Sequence, residues 1–93
     1  MADPHTTTTD IAVTLKLYAS LGAYLPAGAE RNMASVTVAE GTTIDMLLDR
    51  HQVPKAMRHL VLVNGIFVPP AARAAKALQP GDALAVWPPV AGG

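Results

Sequence analysis

The sequence has 93 residues, of which 51% are hydrophobic, and its seven acidic side chains balance its seven basic ones. This length accommodates one domain with a modest core, and the balanced charge gives no basic footprint for nucleic acid. No apolar run is long enough to cross a membrane, and the lack of cysteine excludes disulfides, thiolate nucleophiles and zinc–thiolate sites. We expect residues 1–10 to form a disordered leader that lacks the features of a signal peptide, and a cytoplasmic location fits the cysteine-free composition.

The first half of the chain predicts two strands followed by a helix. Apolar residues alternate through 11–17 and again through 36–38, which is typical of half-buried strands, and these two strands are expected to pair across a long connection with one helical turn at 21–25. From residue 42 the apolar period becomes helical, with Thr42 predicted as the N-cap and Asp45 completing a capping box. The helix should end by Pro54. Its apolar stripe is Ile44, Leu47, Leu48 and His51.

The second half predicts three more strands. The apolar run at 60–63 meets Asn64-Gly65, which favours a type I′ hairpin turn and a short return strand. Pro80-Gly81 predicts a type II turn, and the final strand follows at 83–87. One helix against one mixed sheet of four to five strands is a two-layer α+β fold, and the element order suits a β-grasp. The predicted core is Ile11, Val13, Leu15, Val36, Val38, Ile44, Leu47, Leu48, Leu60, Leu62, Leu84 and Val86.

Internal residues offer little chemistry. The three histidines, His5, His51 and His59, have no further ligand at a spacing that would complete a metal site, so no metal site is predicted. The chain contains no glycine-rich nucleotide motif, and no arrangement of side chains suggests nucleophilic catalysis. We therefore expect no bound cofactor and no catalytic side chain.

The segment Pro-Pro-Val-Ala-Gly-Gly at residues 88–93 is the one chemically suggestive feature. A terminal carboxylate is a poor electrophile, but a partner enzyme can activate it by adenylation. Glycine lacks a Cβ, so Gly92 and Gly93 could enter a channel that closes around backbone. Pro88 and Pro89 stiffen the base of this flexible tail, with Val90 and Ala91 completing its stem. Gly93 is thus the candidate reactive residue, with Gly92 beside it.

The last strand also suggests a docking surface. If Leu84 and Val86 face the core, alternation places Ala85 and Trp87 on the opposite face of the sheet. Trp87 directly precedes the tail, and tryptophan is enriched among interface hot spots. We therefore interpret Trp87, Ala85 and residues 88–91 as candidate partner-binding residues. The alternative is that Trp87 only folds over the sheet edge.

Three segments and the strand order resemble the MoaD/ThiS family of ubiquitin-like sulfur carriers over residues 11–93. The segments are GTTIDMLLDRH, LVLVNG and LQPGDALAVWPPVAGG. The final segment is most similar to the small subunit of molybdopterin synthase. The resemblance implies a ubiquitin-like β-grasp fold with the last strand lying centrally beside the first.

The resemblance also implies a function and a set of partners. An adenylating enzyme similar to ubiquitin E1 would use ATP and magnesium to activate Gly93. A sulfurtransferase would supply the sulfur for a thiocarboxylate. The carrier would then dock on the large subunit of molybdopterin synthase and donate sulfur to a pterin precursor in molybdenum cofactor biosynthesis.

Two alternatives stay open at this stage. The same chemistry could serve thiamine, tRNA thiolation or cysteine synthesis. Alternatively, the chain could be a ubiquitin-like interaction or conjugation module without sulfur chemistry. A conjugate would contain an isopeptide bond from Gly93 to a lysine, whereas a carrier would contain a thiocarboxylate.

Overall fold

The computed structural model describes residues 9–89, and these form a mixed five-stranded sheet covered on one face by one α-helix. The strands are β1 (Asp10–Leu17), β2 (Met33–Ala39), β3 (Leu60–Val63), β4 (Ile66–Phe67) and β5 (Ala83–Trp87), and the helix is α1 (Ile44–Arg50). Short 3₁₀ turns lie at Ala19–Tyr24, Lys55–Met57 and Pro70–Ala72. This arrangement is the ubiquitin-like β-grasp, as the sequence predicted.

The sheet has the strand order β2-β1-β5-β3-β4. The first and last strands pair in parallel at its centre, and the other neighbours are antiparallel. β1 begins at Asp10, so the last residue assigned to the leader belongs to the strand. Residues 1–8 of the predicted leader lie outside the described residues.

Two turns adopt the backbone conformations that their sequences predict. Asn64 and Gly65 both have positive φ, 52° and 82°, as a type I′ turn requires, and they connect β3 to β4. At the second turn, Gly81 has a φ of 83° and the Asp82 N–H donates to the Gln79 carbonyl at 3.0 Å. The Asn64 side chain joins the two turns, because it donates to the Asp82 carboxylate at 2.9 Å and accepts from the Ala83 N–H at 2.9 Å.

Helix α1 packs against the sheet through the predicted apolar stripe. Ile44, Leu47 and Leu48 are fully buried, whereas His51 is half-buried at the C-cap. Burial lowers the pKa of His51, and the charge of the neighbouring Arg50 lowers it further. The helix ends at Arg50, before Pro54. Two residues after its end, Gln52 has a left-handed backbone conformation with a φ of 63°.

The predicted N-cap was wrong by one residue. Thr43 is the N-cap, and its hydroxyl accepts from the Met46 N–H at 3.2 Å. The Thr42 hydroxyl is buried and donates instead to the Ala39 carbonyl at 2.6 Å. Asp45 does not complete a capping box with Thr42, because its carboxylate accepts from Arg58 at 3.0 Å.

The predicted core was wrong in β3. Val61 and Val63 are buried beneath the helix, whereas Leu60 is 37% exposed and Leu62 is half-buried on the opposite face. The cause is the pairing with β5: Val61 is opposite Val86, which points into the core, and directly paired residues share a face. Of the other predicted core residues, Val36 is partly buried against the core and the rest are buried.

Two buried arginines attach the connectors around β3 and β4 to the body of the domain. The Arg58 guanidinium donates to the Val53 carbonyl and to the carboxylates of Asp45 and Asp49. Arg73 donates to the carbonyls of Val68 and Arg58, at 2.9 and 2.7 Å. The hydrogen bond from Arg58 holds the pKa of Asp49 below its ordinary value, and burial lowers the pKa of Arg73. Neither arginine was predicted from the sequence to be buried.

Candidate functional site

The predicted tail leaves the domain from the middle of the sheet. β5 lies between β1 and β3, and it ends at Trp87. The Trp87 carbonyl accepts from the His59 N–H at 3.1 Å, so the strand is held by its neighbour up to its last residue. Beyond it, Pro88 is buried and Pro89 is exposed. The base of the tail is therefore fixed to the most central strand of the fold.

The remaining predicted tail residues are Val90, Ala91, Gly92 and Gly93, and they lie outside the described residues. Their proposed parts in the site therefore stay predictions. Pro88 and Pro89, which follow β5 directly, are the two tail residues that the structure describes.

Trp87 lies on the sheet face opposite the helix, as alternation along β5 predicted, while Leu84 and Val86 are fully buried beneath the helix. The indole ring is half-buried because it stacks on Tyr18, with 4.4 Å between the ring centroids and 8° between the planes. Tyr18 follows β1 directly, and its N–H donates to the Val86 carbonyl at 3.1 Å. The stack restrains the orientation of the Trp87 side chain. Because β5 is a central strand, Trp87 does not lie at an edge of the sheet.

On the β3 and β4 side of Trp87 this face is apolar, whereas on the β1 side Lys16 is paired with Ala85. Leu60 is paired directly with Trp87, and Leu62 is paired with both Ala85 and Phe67. Phe67 is 52% exposed, whereas Ala85 is only 9% exposed at the centre of the face. Helix α1 packs on the other face, and on this side the side chains of Leu60 and Phe67 are exposed.

An open apolar groove of about 480 Å³ runs along the base of the tail. Its lining is the end of β5, the start of β3, the first prolines and the turn after β1: Ala19, Ser20, His59, Leu60, Trp87, Pro88 and Pro89. The structure thus brings together three predicted partner-binding residues, Trp87, Pro88 and Pro89. Ala85 lies on the same face but outside this groove. Sequence reasoning missed Tyr18, Leu60 and His59, because only the pairing of β1, β5 and β3 brings these residues to Trp87.

The described residues form an apolar groove, but they do not form a cluster of metal-binding side chains. Within residues 9–89, no group of three or more His, Asp or Glu side chains is placed to hold a metal ion. No helix of this part of the chain is long and apolar enough to cross a membrane. What the site can do is present an apolar surface and a rigid exit for the chain that follows.

The sequence profile of the ThiS family matches residues 27–93, which include α1, β5 and the whole tail. The chain belongs to the ThiS family. This family consists of ubiquitin-like sulfur carriers and modifiers, and its carriers work with E1-like and synthase partners. No curated protein matches the sequence significantly.

Several solved structures are similar in fold to this ThiS-family chain. The HVO 2177 protein of Haloferax volcanii is 25% identical, with a TM-score of 0.69 over 90% of this chain and 88% of its own. SAMP1 of Haloferax volcanii is 26% identical, with a TM-score of 0.59 over 88% of this chain and 99% of its own. A candidate molybdopterin converting factor subunit 1 from Pyrococcus furiosus is 21% identical, with a TM-score of 0.62 over 86% and 99% of the two chains, and shows the shared fold.

Proposed function

We propose that the protein is a sulfur carrier whose Gly93 carboxyl group is adenylated and then converted to a thiocarboxylate. The observation that carries the proposal is the family match through Gly92 and Gly93, on a tail that leaves the central strand beside an apolar groove. A central strand that is paired on both sides supports a tail to be inserted into a partner, since two ladders of hydrogen bonds hold the strand where the tail begins.

The chemistry assigns the catalytic side chains to the partner. An activating enzyme similar to E1 would bind ATP and magnesium, and the Gly93 carboxylate would attack the α-phosphate to give an acyl-adenylate and pyrophosphate. The terminal sulfur of a persulfide on a sulfurtransferase would then attack the acyl carbon and displace AMP. A partner thiol would cleave the resulting S–S bond, which leaves a disulfide on the partner and a thiocarboxylate on Gly93. The absence of cysteine agrees with this division of labour, because the sulfur would be carried on Gly93 and not on a thiol. Because activation consumes ATP, we propose a cytoplasmic location.

For the acceptor of the sulfur, we propose the small-subunit role in molybdopterin synthase. The support is the Pro-Pro-Val-Ala-Gly-Gly ending and the likeness of fold to the Pyrococcus furiosus protein. In this role Trp87, Ala85 and the stem residues Pro88 to Ala91 would contact the large subunit. The final sulfur acceptor would be a pterin precursor, with thiamine, tRNA or cysteine synthesis as the competing destinations.

A second candidate function is protein modification. The similarity to SAMP1 of Haloferax volcanii favours it, and the related Methanosarcina acetivorans protein, 20% identical, is named small archaeal modifier protein 1. Both functions begin with the same adenylation of Gly93. They differ in the nucleophile, which is sulfur for a carrier and a lysine amine for a modifier.

The deciding experiment combines ATP–pyrophosphate exchange with mass spectrometry of the protein from its native host. We expect exchange with the cognate activating enzyme, and an intact mass in which one oxygen at the C-terminus is replaced by sulfur. Deletion of Gly93 should abolish both, whereas deletion of residues 1–8 is the matched control and should preserve both. If the Gly93 deletion still exchanges and still gains sulfur, the carrier proposal is wrong. Isopeptide bonds from Gly93 to lysine would instead establish the modifier.

A further inference from the structure

A further open groove lies between the free edge of β2 and helix α1, and it shares no lining residue with the groove beside Trp87. This open groove has a volume of about 540 Å³. Its apolar lining includes Val36 and Val38 of β2 and Leu47 of α1, and its polar lining includes the exposed Arg50 and the half-buried His51. Residues 26–28 of the loop before β2 also line it.

The backbone of β2 presents hydrogen-bonding groups along this groove. β2 is an edge strand, and its ladder to β1 includes the bonds from Glu40 N to Thr9 O and from Leu17 N to Asn32 O. In an antiparallel pair, alternate residues direct both backbone groups to the partner strand. The even-numbered residues of β2 therefore bond to β1, and Ser35 and Thr37 direct their N–H and C=O groups outward.

The other two outward positions of β2 confirm this direction and limit the free edge. The Met33 N–H and C=O are satisfied by Glu30, and the Ala39 carbonyl accepts from the Thr42 N–H at 3.1 Å. The open segment is therefore the edge from Ser35 to Thr37. No strand of residues 9–89 lies beyond it.

Nothing in the sequence of β2 protects this edge against pairing. Natural edge strands are usually blunted by lysine, proline, bulges or inward-pointing charges. The strand reads Met-Ala-Ser-Val-Thr-Val-Ala, without charge or proline, and it pairs with β1 in unbroken register over seven residues. An unprotected edge beside an apolar groove is the geometry used for adding a strand from a partner.

We propose that the edge of β2 binds an extended segment of a partner protein as an added sixth strand, with apolar side chains in the groove and an acidic side chain at Arg50. The acidic side chain is inferred because Arg50 lines the groove, is exposed and has no acidic partner within residues 9–89. Ser35 and Thr37 would exchange backbone hydrogen bonds with the segment. Its alternate side chains would lie over Val36 and Leu47.

The test uses the full chain and a fluorescein-labelled octapeptide. Its first six residues alternate valine and threonine, and its last two are aspartates. We expect saturable binding by fluorescence anisotropy, with amide chemical-shift changes concentrated at Ser35 and Thr37. Thr37→Pro removes an outward N–H without touching the ladder to β1, a position at which proline is tolerated, and should weaken binding at least about tenfold. Thr37→Val keeps the N–H and should bind as the wild type does.

The charge is tested separately. Arg50→Glu should weaken binding at least about tenfold, whereas Lys76→Glu, an equal change at an exposed residue outside the groove, should not. Amide spectra of each variant verify that it is folded.

Three results would overturn the proposal. The first is the absence of saturable binding, and the second is a set of shift changes away from β2. The third is a concentration-dependent dimer with the same shifts and no peptide present, which would make a second copy the occupant. Deletion of Gly93 should leave peptide binding intact, and Thr37→Pro should leave pyrophosphate exchange intact, so this proposal and the carrier function fail independently.

Discussion

Replacement of the buried Arg58 should destabilise the fold strongly. Its side chain is only 3% exposed, and its guanidinium binds the Asp45 carboxylate at 3.0 Å, the Asp49 carboxylate at 2.6 Å and the Val53 carbonyl at 2.6 and 3.1 Å. The Arg58 carbonyl also accepts from Arg73. These contacts join the N-terminal half of α1, its C-terminal exit and the connector before β3.

The expected cost of Arg58→Met is about 3–5 kcal/mol. Methionine replaces much of the apolar stem but leaves the Val53 carbonyl and the Asp45 carboxylate, which is 22% exposed, without their donor. Breaking a buried ion pair on one side costs this much, because the remaining charge is left without compensation. Asp49 is 55% exposed, so water can replace Arg58 as its partner, and loss of this contact adds little to the cost of the substitution. For a domain of this size, the loss corresponds to a fall in Tm of about 12–40 °C.

The assay is urea denaturation followed by circular dichroism at pH 7, with Arg50→Met as the matched control. Arg50 is exposed on the same helix, so its replacement should change the free energy of unfolding by no more than about 0.5 kcal/mol. Adding Asp45→Asn to Arg58→Met should recover about 1 kcal/mol or more, because it removes the uncompensated charge. A cost below about 1 kcal/mol for Arg58→Met would refute the reasoning.

Three further predictions concern the core, pH and docking. Leu47→Ala should lower the free energy of unfolding by about 2–5 kcal/mol in the same assay, whereas Met46→Ala at the exposed neighbour should change it little. Because the pKa of His51 is lowered in the fold, its contribution to stability is complete above the unfolded pKa near 6.5 and is lost as pH falls through the folded pKa. His51→Gln should therefore reduce the fall in Tm between pH 7 and pH 5. A Tm that falls with pH as steeply as in the wild type would contradict this. Trp87→Ala should weaken binding to a large synthase subunit by about 2 kcal/mol or more while the domain stays folded, and equal affinity by calorimetry would argue against docking through Trp87.

Local patterns determined much of the fold. In β1 every second residue is apolar, so the strand and its buried face could be assigned from the sequence, and the structure buries Ile11, Val13 and Leu15. Asn64-Gly65 was predictive because few other residue pairs adopt positive φ at both positions at low cost. The terminal Pro-Pro-Val-Ala-Gly-Gly segment was read in the same way, from the chemistry of its own residues.

Only tertiary structure decided the features that depend on strands meeting across long sequence separations. β3 consists entirely of apolar residues, so no alternation in its sequence shows which side chains face the core. Pairing with β5 placed Val61 and not Leu62 in the core. The Tyr18–Trp87 stack exists because β1 and β5 lie in parallel at the centre of the sheet. Arg58 reads in the sequence as an ordinary surface charge. It is buried because folding brings two helix carboxylates and the Val53 carbonyl around one guanidinium, and no local pattern encodes that convergence.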